Sequence, residues 1–108
     1  MTEQTLKGAV LDPAELVTYK DGSTVSREIM KQKTGTVTVF AFDAGQGLSE
    51  HTAPFDAMVH ILDGEAGVTV GGTLHTLRAG QSIIMPANVP HALQAEKRFK
   101  MLLIMIRQ

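Results

Sequence analysis

The fold of this 108-residue chain turns on residues 45–64, GQGLSEHTAPFDAMVHILDG. The first half of the stretch is punctuated by Gly45, Gly47 and Pro54, and it carries His51 in what reads as a glycine-flanked loop at the start of a strand. The second half alternates. Ala57, Val59 and Ile61 point to one side, and Met58, His60 and Leu62 to the other. An apolar run with a period of two predicts a strand, and Asp63-Gly64 reads as the turn that ends it.

The same punctuation recurs outward along the chain, at Asp21-Gly22, Gly35, Gly71-Gly72, Gly80 and Pro86. Between these points the residues are rich in Val, Ile, Thr and Phe. They predict strands at 16–20, 24–30, 36–42, 57–63, 66–70, 73–77, 82–85, 90–94 and 98–106. The stretch SREIMKQK within 24–33 also fits the start of a helix. Short strands at such spacing indicate an all-β sandwich or barrel. Residues 1–15 read as a polar N-terminal arm, in which Asp12-Pro13-Ala14-Glu15 suits one helical turn with Asp12 as cap.

Composition bounds the function. A hydrophobic fraction of 44% and a charged fraction of 19% predict a packed core, and the length predicts a single domain, 1–108. The net charge is −1 and the basic residues are scattered, which argues against a nucleic-acid partner. There is no cysteine, so disulfides, thiol nucleophiles and thiolate metal sites are excluded. The start, MTEQTLKGAV, lacks the apolar core of a signal peptide, and no run reaches the ~18 apolar residues of a membrane helix. The expectation is a cytoplasmic protein with no membrane partner.

Two strands are apolar on both faces. Along 99–106, Phe99, Met101, Leu103 and Met105 oppose Lys100, Leu102, Ile104 and Ile106. An antiparallel sheet with water on one side alternates apolar and polar instead. Something therefore covers the outside. A second copy of the chain, giving a homodimer, is the economical cover. The N-terminal segment folded over the same face is the alternative.

Two stretches together resemble the paired sequence motifs of the cupin family. In the first, Gly45, His51 and Gly64 fall where that family places its glycine, the first histidine of His-x-His and its closing glycine. In the second, GQSIIMPANVPH at 80–91, Gly80, Pro86, Asn88 and His91 fit. The resemblance implies a double-stranded β-helix, that is, a jelly-roll barrel, with the conserved barrel over 36–106 and a pocket at one mouth. It also implies a divalent metal held by four inward residues. Two of these are present, His51 and His91. Ala53 stands for the second histidine of His-x-His, Ala57 (or Met58 on the longer spacing) for the glutamate, and Ala95 for an asparagine that often ends the second motif.

Other residues offer themselves as partners. His75 shares parity with Leu77 and is a candidate third metal ligand. Met85 and Gln94, with Ala53 and Ala57, are candidate pocket residues. Asp56 is one residue out of the glutamate register and would point away in a regular strand. His60, sharing parity with Met58 and Leu62, belongs to the outer sheet or an interface. The expected function is a pocket for a small-molecule ligand around two histidines. It would carry a weak site for zinc, nickel, copper, manganese or iron, and metal-dependent chemistry on a small molecule. Without a metal, one imidazole would serve as acid or base. The alternatives are a non-catalytic binding or sensory module with a degenerate metal site, and a purely interactive β-sandwich dimer.

Overall fold

The computed structural model describes residues 6–107; residues 1–5 of the expected arm lie outside the described residues. After a short 3-10 turn at Pro13–Leu16 come eight strands: β1 (Thr24–Gln32), β2 (Gly35–Phe42), β3 (Gly47–His51), β4 (Ala57–Val70), β5 (Thr73–Arg78), β6 (Ser82–Met85), β7 (His91–Gln94) and β8 (Phe99–Ile106). All pairings are antiparallel. The all-β expectation holds, and the curled sheet is consistent with a double-stranded β-helix.

β4 belongs to both layers. Its first half pairs with β8 and β6 in a sheet continued by β2 and β1, while its second half pairs with β5 and β7 in a sheet continued by β3. The sequence reading split this strand at Asp63-Gly64. The structure instead bends one continuous strand there. Gly64 has φ +77°, and a Cβ on it would collide with the carbonyl oxygen of Arg98 on the approach to β8, so only glycine lets the strand turn between layers.

Two further strand expectations change, and a third is borne out against its alternative. Residues 16–20 are a 3-10 turn running into extended, unpaired chain rather than a strand. Residues 47–51, read as loop, form β3. Residues 24–32 are a strand with a bulge between Glu28 and Met30, which settles the helix alternative.

The core lies between the layers. Val59, Ile61, Val68, Phe42, Phe99 and Met101 are fully buried there. The rings of Phe42 and Phe99 stack at 4.7 Å between centroids.

The outer face of the first sheet has two parts. Over one part the N-terminal segment packs Val17, Leu16 and Tyr19 on Val39, Ala41, Leu62 and Leu102. The Tyr19 hydroxyl donates to Asp63 Oδ2 at 2.6 Å, and Lys100 Nζ donates to the carbonyl of Ala14 at 2.7 Å. The Arg98 and Lys100 side chains lie over the Tyr19 ring, and Arg98 pairs with Asp43 and Asp21 at 2.6 Å each. Burial and the Asp63 bond raise the Tyr19 pKa. The Arg98 guanidinium and the Gly22 N–H hold the Asp43 carboxyl below its usual range. Here the segment folded over the face, the alternative cover, is the one present.

The other part stays bare. Met30, Val37, Ile104, Met58 and Ile84 stand in register across β1, β2, β8, β4 and β6. Met30 is 54% and Ile84 61% exposed.

Candidate functional site: two facing imidazoles over an apolar cavity

The site is built where β3 meets β7. Leu48 pairs with Leu93 and His51 with His91, so three steps on β3 match two on β7. That is a bulge. Without the extra residue, Leu48 and His51 would face opposite sides, since a one-residue slip reverses every side chain. With it, both turn inward. Gly47 lets the strands approach, because any Cβ there would strike the carbonyl oxygen of Leu93.

The turn ahead of His91 is tied to the loop after His51. Asn88, at φ +64°, donates its backbone N–H to the Ala53 carbonyl at 2.7 Å, and Ala87 N–H donates to Asp56 Oδ1 at 2.8 Å. Asn tolerates this left-handed backbone better than most residues. The loop that follows His51 and the turn that precedes His91 are thereby fixed relative to each other.

The hydrogen bonds then assign the tautomers. His51 Nδ1 lies 2.8 Å from the Ser49 carbonyl and His91 Nδ1 lies 3.1 Å from the Val89 carbonyl. A carbonyl oxygen only accepts, so each Nδ1 carries the hydrogen. In the neutral rings each Nε2 therefore holds a lone pair. The two Nε2 atoms are 3.1 Å apart, with the rings edge to face at 72°. Two lone pairs face one another with no donor between them. His91 is 4% exposed, while His51 is open to solvent.

The two rings line a cavity of about 40 Å³, together with Leu48, Ala53, Phe55, Ala57, Leu93 and the methionine-rich set Met85, Met101, Leu103 and Met105. The histidines supply its polar atoms; no carboxylate, amide or hydroxyl side chain lines it.

Of the expected residues, the structure brings together His51, His91, Ala53, Ala57 and Met85. It does not bring in His75. That side chain shares the inward parity of Leu77, opposite Val68, but it is exposed and lines no part of this cavity. Nor does it bring in Gln94. His91, Leu93 and Ala95 turn inward, so Gln94 turns out and is exposed. Asp56 lies outside the cavity and is bonded to Ala87 N–H. His60 lies on the outer face with Nδ1 2.6 Å from Ser82 Oγ.

The sequence reading missed Phe55, Leu48, Leu93 and three β8 residues as cavity walls. For Met101, Leu103 and Met105 the signal was available, since they share parity with buried Phe99. For Phe55, in a loop, there was none.

The donor pair suits a metal in geometry. Two nitrogens bound to one ion at about 2.0–2.1 Å, with an angle of about 90–110°, lie about 2.9–3.4 Å apart. The observed 3.1 Å falls inside this range. The donor count is lower than the family pattern, for no group of three or more His, Cys, Asp or Glu side chains able to hold a metal exists among the described residues.

The family model of the cupin domain matches residues 38–107. Among solved structures, a conserved protein of unknown function from Streptococcus pyogenes is 38% identical, covering 94% of this chain and 89% of that one with a TM-score of 0.88. A cupin 2 conserved barrel domain protein from Leptotrichia buccalis is 41% identical with a TM-score of 0.84, covering 87% of this chain and 46% of that longer one. A cupin superfamily protein from Desulfitobacterium hafniense is 26% identical, covering 94% of each chain with a TM-score of 0.88. No curated protein matches the sequence.

Proposed function

The chain belongs to the cupin domain family, and we propose that its cavity is a small-molecule binding site organised by a transition-metal ion held on His51 and His91. The observation that carries this reading is the pair of Nε2 lone pairs 3.1 Å apart, each set by an Nδ1–H bond to a carbonyl. Such a pair calls for an electrophile between the rings. Imidazole donors suit zinc, copper, nickel and iron, and the missing carboxylates disfavour manganese. An Nδ1–H bond to a backbone carbonyl, as each ring makes here, orients a metal-bound histidine and fixes its tautomer. When bound, the ion supplies Lewis-acid or dioxygen-binding chemistry.

The chain's own residues do the rest. Ala53 and Ala57 leave space beside the imidazoles, and Phe55, Leu48 and Leu103 give the cavity an apolar lining. A cavity of about 40 Å³ has room for a few waters or a guest of similar size. Phe55 lines both this cavity and an open depression bounded by Pro54, Ala87 and Arg107.

Metal analysis of tag-free protein loaded with zinc, nickel, copper or iron tests the reading. About one equivalent is expected in the native protein, and less than a tenth overturns it. The same 3.1 Å separation favours a second reading, a metal-free binding module in which one proton is shared between the rings. Its signature is a thermal shift with a small metabolite that a chelator leaves unchanged.

The bare row from Met30 to Ile84 supports a homodimer with this face as its interface. Each buried Ile- or Met-sized side chain contributes about 1.5–3 kcal/mol. Sedimentation at micromolar concentration tests it: a dimer is expected that Ile104→Lys dissociates, and a native monomer overturns the assignment.

A further inference from the structure

We propose that the two-histidine site selects monovalent copper, with a methionine thioether from Met85 or Met105 as its third ligand. The inference rests on the metal reading above and specifies the ion. It starts from Ala57, which stands at the acidic position of the family motif. Across the inward face, Ala57 is paired on one side with Met85 of β6 and on the other with Met105 of β8. Directly opposed residues on neighbouring strands hold their Cβ atoms about 4.5–5.5 Å apart. The small alanine therefore leaves its space to the two side chains that flank it. Both line the same cavity as His51 and His91.

The donor inventory of that cavity is imidazole nitrogen and thioether sulfur. A hard ion such as manganese or magnesium asks for oxygen ligands, and the lining side chains offer none. Thioethers select soft ions, and imidazole accepts them. Monovalent copper is also stable with three ligands, and two imidazoles at this separation with one thioether would supply them. Three rotatable bonds let a methionine bring its sulfur toward the rings without backbone movement. Methionine as plain filler is the competing explanation, and Leu tests it, since Met and Leu exchange at nearly constant volume.

The experiment is anaerobic competition for copper(I) against bicinchoninate, run beside zinc binding, on the native protein and the Met85→Leu/Met105→Leu double variant. The expected result is copper(I) held at least about tenfold more weakly by the variant while zinc affinity is unchanged. In selenomethionine-labelled protein loaded with copper(I), X-ray absorption at the copper edge is expected to show copper–selenium scattering. That second measurement decides the matter if the double variant fails to fold. Equal copper(I) affinity in the folded variant, or a copper shell of nitrogen alone, overturns the proposal. If zinc still binds through the histidines in that case, the two-histidine reading survives its failure; if no metal binds at all, both fall.

Discussion

Two places in this molecule set a histidine ring within hydrogen-bond distance of a partner, and they differ in what the partner can do. On the outer face, His60 Nδ1 meets the Ser82 hydroxyl at 2.6 Å. A hydroxyl both donates and accepts, so that contact is complete in either tautomer. Inside the mouth, His51 and His91 meet Nε2 to Nε2, and both Nδ1 atoms are committed to carbonyls. Neither neutral ring has a hydrogen left to give. The outer histidine is satisfied by the fold, whereas the inner pair, with both rings neutral, has no donor between its two Nε2 atoms. Proximity of a histidine to a polar atom is therefore a poor guide to function, and the donor–acceptor balance is a better one.

The largest effect that would break the contrast concerns metal uptake. His91→Ala is expected to reduce bound metal from about one equivalent to less than a tenth, with affinity falling at least about a hundredfold, or about 2.7 kcal/mol. His60→Ala should leave metal content unchanged. Elemental analysis of both variants reads the difference, and equal loss in the two would erase it.

Next comes Ala57→Glu, which restores a carboxylate among Met85, Met105 and the imidazoles. Without metal, a buried carboxylate lacking a partner should cost about 2–4 kcal/mol, seen as a lower Tm. With zinc or manganese present, the loss should be recovered and manganese should now bind. A Tm indifferent to metal would show that position 57 does not face the imidazoles.

Ser82→Ala probes the satisfied contact. Loss of one exposed side-chain hydrogen bond should cost about 1 kcal/mol or less in chemical denaturation, with metal binding untouched.

The smallest effect titrates neither place. The Tyr19 pKa is raised in the fold by burial and by Asp63. Its contribution to holding the N-terminal segment is thus full below about pH 10, the unfolded value, and is lost as pH climbs through the raised value. The lowered Asp43 acts oppositely: its contribution is present above about pH 4 and fades as pH falls through the lowered value. Ultraviolet titration of the single tyrosine should give a midpoint above that of free tyrosine, and metal content should be constant across the alkaline change. A normal midpoint would detach Tyr19 from Asp63.

Much of the fold was legible because it rests on parity and punctuation. The alternation of 57–62 and of 99–106 told which side chains share a face, and those faces are the observed ones. What misled was glycine. Gly45 and Gly47 read as loop, yet Gly47 is the residue that lets β3 lie against β7. Gly64 read as the end of a strand, yet it lets one strand bend through two layers. Local propensity registers a glycine's freedom but not the neighbouring backbone that requires it. At the site, family register located His51 and His91. The bulge at residues 49–50 that turns His51 inward left no local mark, because it is defined by pairing with β7. His75 had the right parity and the wrong position along the strand, a distance that parity does not encode. The outer cover was underdetermined for a similar reason: apolar parity marked the face as one to be covered, and it took the placement of Val17 and Tyr19 to show what covers part of it, while the row from Met30 to Ile84 stays bare.

The long strand β4 has a consequence for how the molecule assembles. It is hydrogen-bonded to β5, β6, β7 and β8, so neither layer can be completed until segments from distant parts of the chain have met along it. Closing those loops costs entropy before any pairing repays it, which places this protein among slow folders, on a scale of milliseconds to seconds. Until that closure occurs, the imidazoles forty positions apart in the chain remain strangers.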